Sequence, residues 1–285
     1  MTLRDHLATT APVTTGVTQY GPFEIRWTET GPSEGPLLLL LHGIYAGAHS
    51  YEWRQLVPEL SDTYRVRVPD LLGAGRSDRP AFNYDPDLLS SIVQTTISDA
   101  GEDVHVVASS LTGAYALRAL SSGTPAAALT LITPSGLGEK REQTRAKRGH
   151  RIYDVMRSTP LGNLLVAALT SSPSVKWFQR HRTYQDPSVL TAEEVAETRR
   201  AGRLPGAKYL QLAFVFGRLF IDLDTDDVTA VHPTVIWGAG QRFIDNTEAT
   251  AWVGCGASVI PLSSGLPQVE EPRRVADLIR AQRPG

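Results

Sequence analysis

The sequence predicts an α/β protein in which strands and helices alternate along the chain. Two observations carry this prediction. Leu37–Leu41 is a continuous apolar run after a Gly/Pro turn, which is typical of a strand buried on both faces of a sheet. Residues 103–134 then follow a strand, helix, strand pattern. Strands that alternate with helices predict a mostly parallel sheet with helices on both faces.

The other elements have signals of their own. Phe23–Glu29 alternates apolar and polar residues, as a half-buried strand does, and a further strand ends near Pro69 before a glycine-rich loop. A helix is predicted to begin at Pro86 and to end at Gly101, because proline suits a first helical turn and glycine a helix end. Further strands are predicted at "DVHVVA", "ALTLITP", "TVIWG" and "ASVIPL", and further helices at "LTGAYALRAL" and "VEEPRRVADLIRAQ".

The alternation breaks for nearly a hundred residues between Pro134 and Val231. This stretch has helical character, with candidate helices at "REQTRAKRGHRIYDVMR", "LGNLLVAAL", "TAEEVAETRRAG" and "AKYLQLAFVFGRL". An insertion of this size between two strands of a sheet predicts a cap. We therefore expect a core formed by residues 1–135 and 231–285, with a helical cap at residues 136–230.

Composition limits the classes of function. The 285 residues are 41% hydrophobic and 20% charged, as in ordinary globular proteins, and the net charge of -2 gives no reason to expect nucleic acid or membrane as a partner. The single cysteine, Cys255, excludes an internal disulfide and a cysteine-built metal site. Met1–Gly16 lacks the apolar segment of a secretory signal. We expect a cytoplasmic protein that uses no metal or cofactor and acts on a small molecule.

Six motifs resemble those of the α/β-hydrolase superfamily. In chain order they are "LLLLLHG", "PDLLGAGRSDRP", "VVASSLTG", "LITPSG", "VIWGAG" and "SSGLPQVEEP", and together they extend over almost the whole chain. The resemblance implies the α/β-hydrolase fold, with a mostly parallel sheet of eight strands, helices on both faces and an inserted helical cap. The segment "HGIYAGAHSYEW" resembles a subgroup that often lacks the full catalytic set.

Ser110 is predicted at the nucleophile elbow, the sharp turn from a strand into a helix. The elbow holds its serine at positive φ, and the residues two positions away must be small because the two backbones pass close together. With Ser110 at the tip these neighbours are Ala108 and Thr112, whereas with Ser109 at the tip they would be bulkier. Thr112 replaces the usual glycine, so the elbow is imperfect.

The resemblance also implies an oxyanion hole. Its donors would be the backbone N–H groups of Leu111, which follows the nucleophile, and Ile44, in the loop that Gly43 opens. Tyr45 is adjacent and could add a hydroxyl. Ser109 adjoins the nucleophile and counts among the candidate binding residues.

The catalytic acid and base that this family uses are missing. The usual acid position, three residues past Gly238, holds Gln241, and Leu266 stands where the histidine is expected. No histidine occurs after His232, and the alternative acid position is not acidic either. A serine hydroxyl is a weak nucleophile without a neighbouring base, so conventional ester hydrolysis through an acyl-enzyme is disfavoured.

Other residues could replace the missing groups. His49, near the oxyanion loop, is the best-placed candidate to replace the base, and Asp245, four residues beyond the acid position, is a distant second. His150 and His181 lie in the predicted cap, from which they could reach the site. Lys208, also in the cap, could pair with an anionic substrate.

Three interpretations remain open. The first is a non-hydrolytic enzyme of natural-product biosynthesis, because the chain resembles enzymes that expel acetate from an acetylated tetronate, an acidic polyketide product, to leave an exocyclic alkene. A carbon–oxygen lyase of this kind, or a cyclase, needs a shaped pocket and hydrogen-bond donors but no covalent nucleophile. The second is a pseudo-hydrolase that binds a small molecule. The third is an ester hydrolase with a rebuilt base. The oligomeric state is not predicted.

Overall fold

The computed structural model describes residues 12–137 and 152–282. The strands of these residues are β1 (Val13–Tyr20), β2 (Phe23–Thr30), β3 (Leu37–Leu41), β4 (Arg65–Pro69), β5 (His105–Ser109), β6 (Ala128–Ile132), β7 (Thr234–Gly238) and β8 (Ser258–Leu262). They form one eight-stranded sheet in the order β1-β2-β4-β3-β5-β6-β7-β8. β2 pairs antiparallel with β1 and β4, and the other pairs are parallel. The predicted eight-stranded, mostly parallel sheet is confirmed.

Helices follow most of the strands. They are α1 (Leu56–Leu60), α2 (Pro86–Ala100), α3 (Ser110–Ser121), α4 (Leu161–Leu169), α5 (Ser172–Phe178), α6 (Ala192–Gly202), α7 (Lys208–Val215), α8 (Thr225–Val231), α9 (Thr247–Gly254), α10 (Pro267–Glu270) and α11 (Pro272–Arg280). Residues 152–158 are also helical, and a short 3-10 turn spans Ser50–Trp53. No helix among the described residues combines the length and the apolar character that crossing a membrane requires.

The continuous apolar run of β3 is explained by its place in the centre of the sheet. All five of its residues are buried, and successive side chains of a strand point to opposite faces. Leu39 therefore packs into the core cluster that contains Tyr115 of α3, whereas Leu38 packs into the second cluster, with Leu56 of α1 and Ile279 of α11. Helices thus cover both faces of the sheet, as predicted.

Two elements differ from the sequence-based expectation. β1 was not predicted, because only Thr18 of its eight residues is buried and no apolar alternation marks it. The strand is ordered by its ladder with β2, and the Thr18 hydroxyl donates to Asp99 of α2 at 2.6 Å. The closing helix, predicted as one element, is two, because Pro272 has no N–H to continue α10 and begins α11 instead.

Among the described residues, helices α4 to α8 lie between β6 and β7. The last of them, α8, packs against α3 of the sheet layer, where Asp227 accepts from Arg118 at 3.0 Å and from Ser121 at 2.6 Å. The division into a core (1–135 and 231–285) and a cap (136–230) stays a prediction. Most of the candidate helix "REQTRAKRGHRIYDVMR", with His150, lies outside the described residues.

Candidate functional site

Ser110 occupies the turn from β5 into α3 and has a φ of 53°, as predicted for the elbow. This conformation is strained for a residue that carries a Cβ. Thr112, the bulky replacement for glycine, is fully buried, and its hydroxyl donates to the carbonyl oxygen of His42 at 2.7 Å. A hydrogen bond to the end of the neighbouring strand thus accommodates the threonine, and the elbow keeps its shape.

The oxyanion loop lies directly beside the elbow. A Cβ added at Gly43 would stand 3.2 Å from the Cβ of Ser110, which is tighter than an ordinary contact, so the loop backbone passes close to the serine. The N–H of Ile44 donates to no acceptor among the described residues. The N–H of Leu111 lies in the first turn of α3, where helical acceptors are missing. Both predicted donors therefore remain available to an oxygen of a ligand.

Gln241, at the predicted acid position, forms hydrogen bonds within its own loop. The Gln241 amide nitrogen donates to the carbonyl oxygen of Ile244 at 2.9 Å and to the Asn246 side chain at 3.3 Å. Its carbonyl oxygen accepts from the N–H groups of Phe243 and Ile244 at 2.8 and 2.7 Å. The side chain is buried and has no group left to orient a base.

Gln241→Ala is expected to lower the free energy of unfolding by about 1–3 kcal/mol, because it leaves the partly buried backbone N–H groups of Phe243 and Ile244 without an acceptor. The rate constant for the chemical step should change by less than a few-fold. Urea denaturation and steady-state kinetics measure the two effects, with the exposed Gln55→Ala as the matched control. A large loss of rate at unchanged stability would instead place the Gln241 amide in the chemistry.

Leu266 stands in the loop after β8 that was expected to hold the base. Its N–H donates to Glu270 at 2.7 Å, and its half-buried side chain borders a small cavity next to the oxyanion loop. A leucine side chain can neither accept nor donate a proton. The position at which the resemblance places the general base therefore holds a hydrocarbon side chain.

The ring nitrogens of the two histidines nearest the oxyanion loop have partners other than Ser110. Nε2 of His42 accepts from the N–H of Leu71 at 3.0 Å, and burial lowers the pKa of this imidazole, so it serves as a neutral structural group. The ring nitrogens of His49 lie 3.0 Å from the carbonyl oxygen of Gly47 and 3.7 Å from the carboxylate of Glu197 on α6. His49 thus faces α6, and its predicted role as a base stays untested.

The remaining described histidines contact residues outside the candidate site. His105 meets the hydroxyl of Thr130 at 2.8 Å within the sheet, and burial lowers its pKa to about 4. Nδ1 of the exposed His181 lies 2.8 Å from the carbonyl oxygen of Trp177. His232 ends α8 with left-handed backbone. No histidine of the described residues is hydrogen-bonded to Ser110.

Glu52, a buried residue for which the sequence predicts no role, places its carboxylate beside the oxyanion loop. One of its oxygens accepts from the N–H of Gly43 at 3.0 Å and from the hydroxyl of Tyr45 at 3.3 Å. The other accepts from the amide of Gln268 at 2.7 Å, and that amide also lies 3.3 Å from the hydroxyl of Ser109. The only signal in the sequence is an acidic residue directly before the buried tryptophan of "HSYEW".

The Tyr45 hydroxyl is held by this carboxylate. Burial, and then the charge of Glu52, raise the pKa of the Tyr45 phenol well above its ordinary value, so it stays a hydrogen-bond donor at neutral pH. Lys208, the predicted partner of a substrate anion, instead donates to the carbonyl oxygen of Thr159 at 3.0 Å and lies over the ring of Tyr209. Its role toward a substrate stays a prediction.

Two small cavities flank the oxyanion loop. One, of about 10 Å³, is bordered by Gly43, Ile44 and Leu210, and the other, of about 20 Å³, by Tyr45, Glu52 and Leu266. Each has room for about one water molecule, and Ser110 borders neither. The predicted substrate cavity in front of Ser110 is thus neither of these two spaces.

Helix α6 covers the oxyanion loop. A Cβ at Gly47 would lie 2.6 Å from the carbonyl oxygen of Thr198 on that helix, so the two backbones are in contact. Glu194 of α6 accepts from Arg54 at 2.6 Å and from the hydroxyl of Tyr184 at 2.6 Å. Burial raises the pKa of Glu194, although Arg54 opposes this shift. A buried ion pair therefore fixes α6 to the loop.

The sequence matches a known family whose fold has this sheet order and this elbow. The model of the Alpha/beta hydrolase family matches residues 38–278. The chain belongs to this family. The soluble epoxide hydrolase of Corynebacterium sp. is 25% identical over 241 residues, which cover 77% of this chain and 82% of that protein.

Shorter matches are more similar. The cis-3-alkyl-4-alkyloxetan-2-one decarboxylase of Xanthomonas campestris pv. campestris is 46% identical over 54 residues, or 19% of this chain and 17% of that protein. Four relatives of 41–51% identity match over segments that span only 17–22% of their own length. Among solved structures, a membrane phospholipase A described as a bacterial virulence factor superposes with a TM-score of 0.72. The superposition covers 95% of this chain and 85% of the phospholipase chain at 21% sequence identity, which shows a shared fold alone.

Proposed function

We propose that this protein is a non-hydrolytic member of its family, a carbon–oxygen lyase that eliminates a carboxylate, acetate in particular, from an acylated polyketide of the tetronate type. One observation carries the proposal. The elbow at Ser110 and the N–H donors beside it are kept, whereas Gln241 and Leu266 stand where acid and base are expected. Losing the base costs an acyl-enzyme mechanism several orders of magnitude in rate.

Elimination needs what these residues supply. The C–H bond at the acidic carbon of the ring breaks, its electrons form the C=C bond, and the carboxylate leaves with the electrons of the C–O bond. No water is consumed, and the products are an alkene, a carboxylate and a proton. Negative charge grows on substrate oxygens during this step. The Ser110 hydroxyl and the N–H groups of Ile44 and Leu111 would stabilise it without a covalent intermediate.

The relatives support more than one chemistry. The Xanthomonas relative is named as a decarboxylase, so the family's reactions extend beyond hydrolysis. The Corynebacterium relative is named as a hydrolase, and His49 and Glu197 form a buried histidine–carboxylate pair at 3.7 Å. An ester hydrolase that uses His49 is therefore the second candidate, although it would require the imidazole to turn from α6 toward Ser110.

Incubation with an acetylated tetronate in water labelled with oxygen-18 tests the proposal. We expect an exocyclic alkene and unlabelled acetate by mass spectrometry, at a rate well above that of the substrate alone. An alcohol with labelled acetate would establish hydrolysis and favour the second candidate. Tight binding without turnover would overturn both and indicate a small-molecule receptor.

A further inference from the structure

The carboxylate of Glu52 and the side chain of Ser110 both lie close to Gly43 of the oxyanion loop. A Cβ at Gly43 would stand 3.2 Å from the Cβ of Ser110 and 3.5 Å from the nearer oxygen of Glu52. One oxygen of Glu52 and the Cβ of Ser110 therefore lie on either side of the same glycine and, at these distances, less than about 7 Å apart. Glu52 is buried, with 4% of its surface exposed.

The hydrogen bonds of Glu52 fix the position of its carboxyl group but leave part of it open. Its oxygens accept from the Gly43 N–H, the Tyr45 hydroxyl and the Gln268 amide. A carboxylate offers about four lone-pair sites, so three donors leave about one for an incoming proton. All three donors are uncharged, and they fix the position of the carboxylate without neutralising it.

Glu52 also borders the larger cavity, of about 20 Å³, together with Tyr45 and Leu266. This cavity has room for about one water molecule. A general base must reach its proton directly or through one water, and this cavity offers room for such a water beside the carboxylate. Leu266, which replaces the expected histidine, borders the same cavity as the carboxylate.

We propose that Glu52 is the general base of the reaction and takes over the role of the missing histidine. This assignment rests on the elimination proposed above. As the C–H bond of the substrate breaks, its electrons form the C=C bond and the proton passes to an oxygen of Glu52. The acetate leaving group departs with the electrons of the C–O bond. After product release the proton passes to water, and the carboxylate is restored.

Electrostatics favours this role over one in acyl transfer. An ionised carboxylate next to the oxyanion donors opposes the negative charge that an acyl-transfer intermediate would place there. In elimination the same carboxylate gains a proton while charge moves onto the substrate, so the two negative charges do not coexist. Tyr45, Gly43 and Gln268 act as positioning groups for the base.

Glu52→Gln keeps the size of the side chain but removes its ability to accept a proton. We expect kcat for alkene formation to fall by about 100- to 10,000-fold, the usual contribution of a general base. Binding of the acetylated tetronate should stay close to that of the unchanged protein, whereas the melting temperature should fall somewhat, because the amide nitrogen of glutamine cannot accept the hydrogen bonds that a carboxylate oxygen accepts. The matched control is Glu29→Gln, because Glu29 pairs with Arg67 at 2.8 Å on neighbouring strands of the sheet, outside the site.

Two further measurements separate a base from a structural group. Rate loss at low pH should be present in the unchanged protein and absent from the residual activity of Glu52→Gln. Other titratable groups also lie close to Glu52. Tyr45 and His42 interact electrostatically with it. The cavity that Glu52 borders is also lined by His49, Arg54, Tyr184 and Glu194. In Glu52→Ala, added formate should restore part of the activity by entering the vacated space, whereas chloride should not.

If Glu52→Gln fails to fold, Glu52→Asp provides the test, because it keeps the charge and shortens the reach. Partial activity with the low-pH loss preserved would support the assignment. Unchanged kcat and pH profile in Glu52→Gln would overturn the role of Glu52 while leaving the lyase proposal intact. Failure of the unchanged protein to form the alkene would overturn the lyase function and the role of Glu52 with it.

Discussion

Ser110→Ala is expected to slow alkene formation by about 10- to 1000-fold, the cost of one lost oxyanion donor. A covalent nucleophile would be worth about a million-fold. The difference arises because the Ile44 and Leu111 N–H groups remain in the variant and no acyl-enzyme is required. The backbone should not change, since alanine also carries a Cβ at the positive φ of the elbow.

Steady-state kinetics with the acetylated tetronate measure this effect, with the exposed Ser98→Ala on α2 as the matched control. A nitrophenyl ester provides the complementary assay. The unchanged protein should hydrolyse it slowly, and Ser110→Ala should change that rate little. A rapid burst of nitrophenol that disappears in Ser110→Ala would instead identify Ser110 as a nucleophile and favour the hydrolase.

Arg54→Ala is expected to lower the free energy of unfolding by about 3–5 kcal/mol, because it leaves the carboxylate of Glu194 buried without its cation. The two side chains meet at 2.6 Å and are 7% and 5% exposed. Replacing both residues, as Arg54→Met with Glu194→Leu, should recover much of the loss because no unpaired charge remains. The matched control is Arg273→Ala, which breaks the exposed pair with Glu59.

The loss in Arg54→Ala should depend on pH. Burial already raises the pKa of Glu194 in the folded protein, and removing Arg54 removes a group that lowers it. A group with a raised folded-state pKa contributes stability below its unfolded-state pKa, and this contribution is lost as pH rises through the folded-state value. The variant should therefore be closest to the unchanged protein in acid and least stable at neutral pH. Urea denaturation at several pH values measures this, and a loss independent of pH would contradict the ion-pair explanation.

Local rules predict the parts of this protein that depend on neighbours in the chain. The apolar run of β3 predicts a strand buried on both faces. The small residues around Ser110 predict the elbow, because the strain of a strand-to-helix turn is set by the residues within it. Local rules do not predict β1, because its side chains have almost no apolar pattern and the strand forms only through backbone pairing with β2. The resemblance to the family also predicts, from the sequence, that Gln241 and Leu266 stand at the positions of acid and base.

The tertiary structure alone decides which polar groups meet. Glu52 lies in a short turn far along the chain from Gln268, and only packing of the loop after β3 against α10 joins them. His49, the best candidate base by position in the sequence, is directed to Glu197 because α6 folds over the loop. Burial, hydrogen-bond partners and the orientation of a ring are properties of contacts between distant segments. The sequence by itself therefore determined the fold and the elbow, whereas the folded chain decided which carboxylate stands beside Ser110.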